Sequence, residues 1–145
     1  MKKILCLMLL IGNVYAEDFS IYVTGRTWHS NDKHHRLNNN NTGLGFESKI
    51  NDQYDIYGMF HTYIDSYNKQ GYWVGANHKF NLYDNGGKIN LNLNAGYLNG
   101  SGHKSLLMYP TLEIGYGKAY IDIVGFPSYG NYNGLVSVGL RLNIN

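Results

Sequence analysis

Two short segments hold the side chains best suited to chemistry, Thr27-Trp28-His29 and Asp65-Ser66-Tyr67-Asn68-Lys69. An imidazole titrates near neutrality and moves protons at physiological pH. His29 beside the carboxylate of Asp65 and the hydroxyl of Ser66 would therefore form one reaction centre. The three residues are far apart along the chain, so a scaffold must bring them together.

Residues 1–16 have the pattern of a cleaved signal peptide: Lys2 and Lys3, an apolar run from Ile4 to Ile11, and Val14-Tyr15-Ala16 as the small-residue cleavage site. The domain is then 17–145. Cys6, the one cysteine, leaves with the signal, so disulfides are excluded from the mature chain. Lys2 and Lys3 also account for the net charge of +2, and a balanced mature chain points away from nucleic acid. No stretch approaches the ~20 apolar residues of a membrane helix. Eighteen glycines, fourteen tyrosines and only two prolines suit β structure with tight turns and aromatic belts.

From Leu135 to the C-terminus, Val136, Val138, Leu140, Leu142 and Ile144 alternate with small or polar residues, and Lys88 to Leu98 repeats the rule. Strands can be drawn at 18–28, 42–50, 54–64, 71–82, 88–98, 106–115, 119–127 and 134–145. Eight strands of about 10 residues match a transmembrane barrel. Connections at Ser30 to Asn41, Asp65 to Gln70, Asn99 to Ser105 and Ser128 to Asn133 are expected to be long and polar, alternating with tighter ones. That alternation favours an eight-stranded antiparallel barrel over a secreted β-sandwich. With a periplasmic N-terminus, the first and third strands deliver His29 and Asp65 to the exterior.

Pro110 and Pro127 would face each other if the intervening hairpin is centred near Lys118 and Ala119. Proline gives no ladder donor, so the pair either marks a place where the sheet parts sideways to admit a lipid or simply ends each strand at its loop. Inward positions would place Leu107, Tyr109, Val124 and Phe126 near the mouth, above Glu113, Asp122, Lys79, Lys49, Asp55 and Arg141. The lower set is expected to be a structural ion-pair network and the upper set an apolar pocket for a hydrocarbon chain.

Thr27-Trp28-His29, Arg36-Leu37-Asn38, Gly43-Leu44-Gly45-Phe46, Asp65-Ser66-Tyr67-Asn68-Lys69, Gly115-Tyr116-Gly117 and Phe126-Pro127-Ser128-Tyr129-Gly130-Asn131 follow one another as in PagP. From about Phe19 onward the chain resembles this family, the lipid A palmitoyltransferases of Gram-negative outer membranes. The resemblance implies an eight-stranded barrel with an external active site, an interior acyl-chain ruler and no cofactor. It implies an acyltransferase moving an acyl chain from a glycerophospholipid donor to a lipid A acceptor, and a monomer is expected. Catalytic residues carry over to His29, Asp65 and Ser66, and the lateral gate to Pro110 and Pro127. Ester transfer needs a base and oxyanion donors. His29 is then the base, Asp65 orients or stabilises its ring, and Ser66 donates to the oxyanion or positions the carbonyl without acting as nucleophile.

Departures from the family temper these expectations. Only Glu17 and Asp18 precede Phe19 where the family has an amphipathic helix, and Thr24 and Asn41 stand where its second gate has prolines. The ruler floor falls near Gly75 to Asn77, so an inward Asn77 would shorten the accepted chain. His103 and Lys104 are candidates for phosphate contact. His34-His35 beside Asp32 and Lys33 is expected to be solvated loop, since no second ligand cluster accompanies it. His61 and His78 are expected in the lumen and at the interface, and Trp28, Trp73 and the tyrosines chiefly as interface anchors. One alternative function is a non-enzymatic barrel serving surface masking, exclusion or adhesion. Another, a lipid A deacylase, would use a His-Ser-Glu arrangement on a late strand, and no His-x-Ser falls on the sixth strand as drawn.

Overall fold

Period-two alternation produces eight strands, β1 (Phe19–His29), β2 (Asn40–Asn51), β3 (Ile56–Ile64), β4 (Gln70–Asn85), β5 (Gly87–Gly100), β6 (His103–Tyr116), β7 (Ala119–Phe126) and β8 (Leu135–Asn143). The computed structural model describes residues 18–30, 37–51, 53–128 and 134–144. The signal segment, Asp32 to Arg36 and Tyr129-Gly130-Asn131 lie outside the described residues. Each strand pairs antiparallel with its chain neighbour, and β1 pairs with β8 to close the barrel. Closure gives every strand two partners.

The two faces are inverted relative to a water-soluble protein. Val23, Leu44, Val74, Leu93, Ile121 and Leu140 are exposed on the outer wall, whereas Glu47, Asn92, Glu113, Asp122 and Arg141 are buried inside. An apolar exterior around a polar lumen is favourable only when hydrocarbon surrounds it, which makes this a membrane-spanning barrel.

Arg141 forms the centre of the lumen. Its Nη1 lies 2.7 Å from Glu47 Oε1 and 2.7 Å from Glu113 Oε2, and its Nη2 lies 2.7 Å from Asp122 Oδ2. Lys79 Nζ adds a second cation 2.6 Å from Glu47 Oε1. The ion-pair floor expected from Glu113, Asp122, Lys79 and Arg141 is present, but its hub includes Glu47, which the sequence pattern did not single out. Asp55 lies outside the lumen instead, exposed in the β2–β3 turn, with Lys49 Nζ 3.0 Å away.

Trp73, expected at the membrane interface, is 1% exposed inside the barrel. Odd residues of β4 turn inward, so Trp73 shares a face with Gly71 and Asn77. Its ring meets Tyr109 edge-on at 5.0 Å, while Tyr22 and His61 approach at 5.5 Å. A cavity of about 10 Å³ between Tyr22, Glu47, His61 and Arg141 has room for about one water molecule. The lumen is thus filled from the ion-pair layer up to Trp73.

The expected long loop from Asn99 to Ser105 is a two-residue turn. Asn99 pairs with Lys104 and Gly100 with His103, leaving only Ser101 and Gly102 unpaired. Both have positive φ, 53° and 79°, as in hairpin turns whose twist matches the flanking strands. Polar composition alone suggested a loop, but these residues continue a ladder that projects beyond the apolar belt.

Candidate active site

A β-bulge decides where His29 points. The β1 register against both neighbours shifts between Thr24 and Arg26. Ser20 and Thr24 are buried before the shift, and Thr27 after it, with Trp28 exposed. The extra residue, Gly25, switches the inward set from even to odd positions and aims His29 across the mouth. Uninterrupted alternation would have turned Trp28 inward instead.

His29 bonds to residues on two other segments. Nε2 lies 3.0 Å from Ser66 Oγ, and Nδ1 lies 3.0 Å from Asn39 Oδ1. An amide oxygen only accepts, so Nδ1 carries the proton and Nε2 presents its lone pair to the Ser66 hydroxyl. Asn39 precedes β2, and its neighbour Asn38 donates its backbone amide to Ser66 O at 2.8 Å. Asn38 Nδ2 also donates to Asp65 O at 3.2 Å, and Asn41 Nδ2 to Ile64 O at 2.8 Å. The asparagine run therefore stitches the first connection to the loop that carries Ser66.

Asp65 has a different task from the one the resemblance implies. Its Oδ1 accepts the amides of Tyr67 and Lys69, both at 2.8 Å, and its Oδ2 accepts the amide of Ser101 at 2.7 Å. The chain reverses here, with Asn68 at φ 59° and its amide bonded to Asp65 O at 3.0 Å. Turning separates the two neighbours: Ser66 reaches His29, while Asp65 is taken up by three backbone donors. Ser101, which the sequence reading passed over, comes within hydrogen-bond reach of Ser66, its Oγ 3.5 Å from Ser66 Oγ.

A parted seam lies between β6 and β7. Their ladder runs from Tyr116↔Ala119 up to Thr111↔Val124 and stops, although β6 stays paired to β5 as far as His103 and β7 to β8 as far as Phe126. Pro110 is the first β6 residue above the last rung and is exposed on the outer face. The hairpin turns at Gly117-Lys118, one position earlier than expected, so Pro110 is level with Gly125 and Pro127 lies beyond the end of β7. The prolines border the seam without facing each other.

Of the residues expected to line an acyl pocket, Leu107, Tyr109, Val124 and Phe126 all face inward and are half-buried beside this seam. Tyr109 and Phe126 approach at 5.2 Å. They lie along the inner side of the seam, with the Trp73–Tyr109 contact next to them. Gly75 packs against Gly96 across the β4–β5 ladder, where a Cβ would fall 2.4 Å from Ala95 O. Asn77 is one step further down, inside the charged layer, donating to Glu47 Oε2 at 2.5 Å. The site of the second gate is held together here by Thr24 Oγ1 donating to Asn41 O at 2.5 Å.

Because β6 begins at His103, His103-Lys104-Ser105 does lie on the sixth strand, which corrects the sequence reading of that strand. Both His103 and Ser105 take inward positions. The carboxylates of β6 and β7, Glu113 and Asp122, are committed to Arg141 far below them.

No family model and no curated protein matches this chain. It is similar in structure to the Yersinia pestis outer membrane protein Ail in a phospholipid bilayer nanodisc, with TM-score 0.47, 13% identity, and 88% of this chain and 99% of that one covered. It is likewise similar to the N-terminal β-barrel domain of Pseudomonas aeruginosa OprF, with TM-score 0.49, 12% identity, and 88% and 97% covered. A further similar structure is Neisserial surface protein A, with TM-score 0.31, 14% identity, and 88% and 96% covered.

Proposed function

We propose that this barrel is an acyltransferase of the bacterial outer membrane, moving an acyl chain from a glycerophospholipid to lipid A at its exterior mouth. One observation carries the proposal: His29 bridges Asn39 and Ser66 through its two ring nitrogens at 3.0 Å each. A hydroxyl on an imidazole whose far nitrogen is held by a third group is the arrangement of an activated nucleophile. Ser66, expected from the resemblance to act without nucleophilic attack, is on this geometry the attacking group instead, with His29 the base and Asn39 the residue that sets the tautomer. The donor ester approaches from the outer leaflet through the β6–β7 seam, its chain lying along Leu107, Tyr109, Val124 and Phe126.

Catalysis begins as Ser66 Oγ attacks the ester carbonyl and its proton passes to His29 Nε2. Collapse of the tetrahedral adduct breaks the ester C–O bond, and the leaving alkoxide takes the proton from His29. A hydroxyl of the acceptor then attacks the acyl-serine, again giving its proton to His29, and Ser66 is released with that proton returned.

Mass spectrometry of lipid A from cells expressing the chain tests this. An added acyl mass is expected, lost in His29→Ala and Ser66→Ala. An unchanged spectrum from correctly assembled barrel defeats the proposal. The second reading, a barrel without catalysis that masks the surface or adheres, is favoured by the filled lumen beneath Trp73, and it requires that unchanged spectrum.

A further inference from the structure

We infer that Ser101 is a catalytic residue, its hydroxyl stabilising the oxyanion formed when Ser66 attacks, and that Asp65 is its positioning residue. The inference rests on the acyl-transfer reading above. Ser101 Oγ receives the backbone amide of Ser66 at 3.4 Å and lies 3.5 Å from Ser66 Oγ. It is a hydroxyl within hydrogen-bond reach of Ser66 Oγ, supplied by the β5–β6 turn, far along the chain from His29 and Asn39. As the carbonyl oxygen gains charge, the Ser101 O–H turns from Ser66 Oγ to that oxygen. The Ser66 amide, released from Ser101 Oγ, supplies a second donor. Preorganised donors of this kind are the largest single contribution to many acyl transfers.

Backbone geometry adds an independent reason. Ser101 has φ 53° in a turn where glycine or asparagine would be unstrained. A strained serine persists where the surroundings over-determine it. Here Asp65 Oδ2 does so, accepting the Ser101 amide at 2.7 Å. This also accounts for Asp65, which organises the Ser66 loop with one oxygen and the Ser101 turn with the other.

Glycine at this position keeps the amide that Asp65 holds, relieves the φ and removes only the hydroxyl. The test is labelling of the folded barrel in detergent micelles by an alkyl fluorophosphonate, whose phosphoryl oxygen uses the same donors and needs no lipid acceptor. Wild-type protein is expected to label at Ser66 and Ser66→Ala to stay unlabelled, as read by intact-protein mass. Ser101→Gly should lower the limiting labelling rate about 10²–10³-fold, the effect of losing one oxyanion donor, with the half-saturating probe concentration unchanged. Ser101→Asn, which tolerates this φ and offers an amide N–H as donor, should recover part of that rate. If wild type labels and Ser101→Gly labels equally fast, Ser101 has no such role and acyl transfer stands. If folded wild type fails to label at Ser66, both fall together.

Discussion

Asp65 and Ser101 belong to different connections, yet Asp65 Oδ2 accepts the Ser101 amide at 2.7 Å and locks the two together above the lumen. Because Asp65 also takes the amides of Tyr67 and Lys69, one buried carboxylate sets the geometry of both hydroxyls at the site. Hydrogen bonds to a charged group contribute about 1.5–3 kcal/mol each, and the donors left unpaired cost more where water cannot replace the carboxylate. Asp65→Ala is therefore expected to lower barrel stability by about 3 kcal/mol and to abolish acyl transfer. Urea unfolding in micelles, followed by tryptophan fluorescence, measures the first effect.

Asn39 tests whether His29 is oriented or merely nearby. Asn39→Leu removes the acceptor from Nδ1, so the tautomer with Nε2 protonated competes and the base is lost. Turnover should fall about 10²–10⁴-fold, the range spanned by a general base and by a wrong tautomer. Asn39→Asp keeps an acceptor at the same atom and should retain most of the activity. Equal loss in both variants, measured as initial rate of phospholipid consumption, would show that Nδ1 orientation is irrelevant.

Arg141 faces three carboxylates, with Glu47, Glu113 and Asp122 all at 2.7 Å from its guanidinium. Arg141→Leu leaves Lys79 beside Glu47 and Glu113 and takes from Asp122 the cation it is paired with. Removing one partner from a buried ion pair costs about 3–5 kcal/mol. Fresh refolding into micelles should then yield mostly open chain, visible as loss of the heat-modifiable band on a gel. Full recovery of that band would mean that the network contributes little to closure.

Trp73, edge-on against Tyr109 at 5.0 Å, would be the floor under an acyl chain lying along the seam. Trp73→Ala removes that floor at a cost of about 3–5 kcal/mol, typical of truncating a buried large aromatic. The space freed should accept a longer acyl chain, read from the mass added to lipid A when donors of several lengths compete. An unchanged length distribution would mean that the chain does not reach as far as Trp73.

The barrel was legible in the chain because alternation is a local signal: side chains on a strand point to opposite faces with period two, whatever the partner strand. All eight strands begin and end within three residues of where alternation placed them, and the ladder of β5 and β6 ran on through residues whose polarity suggested loop. The meeting of His29 with Ser66 at the mouth was legible too, from which strands run outward. Asn39, Ser101 and the backbone amides that Asp65 accepts were not. His29 faces the mouth because of the extra residue at Gly25, and Pro110 misses Pro127 because the hairpin turns one position early. Trp73, Glu47 and Arg141 share a lumen only once the ring closes. Bulges, register and the partners across a lumen depend on pairing between distant segments, so their side-chain contacts exist only in the assembled barrel.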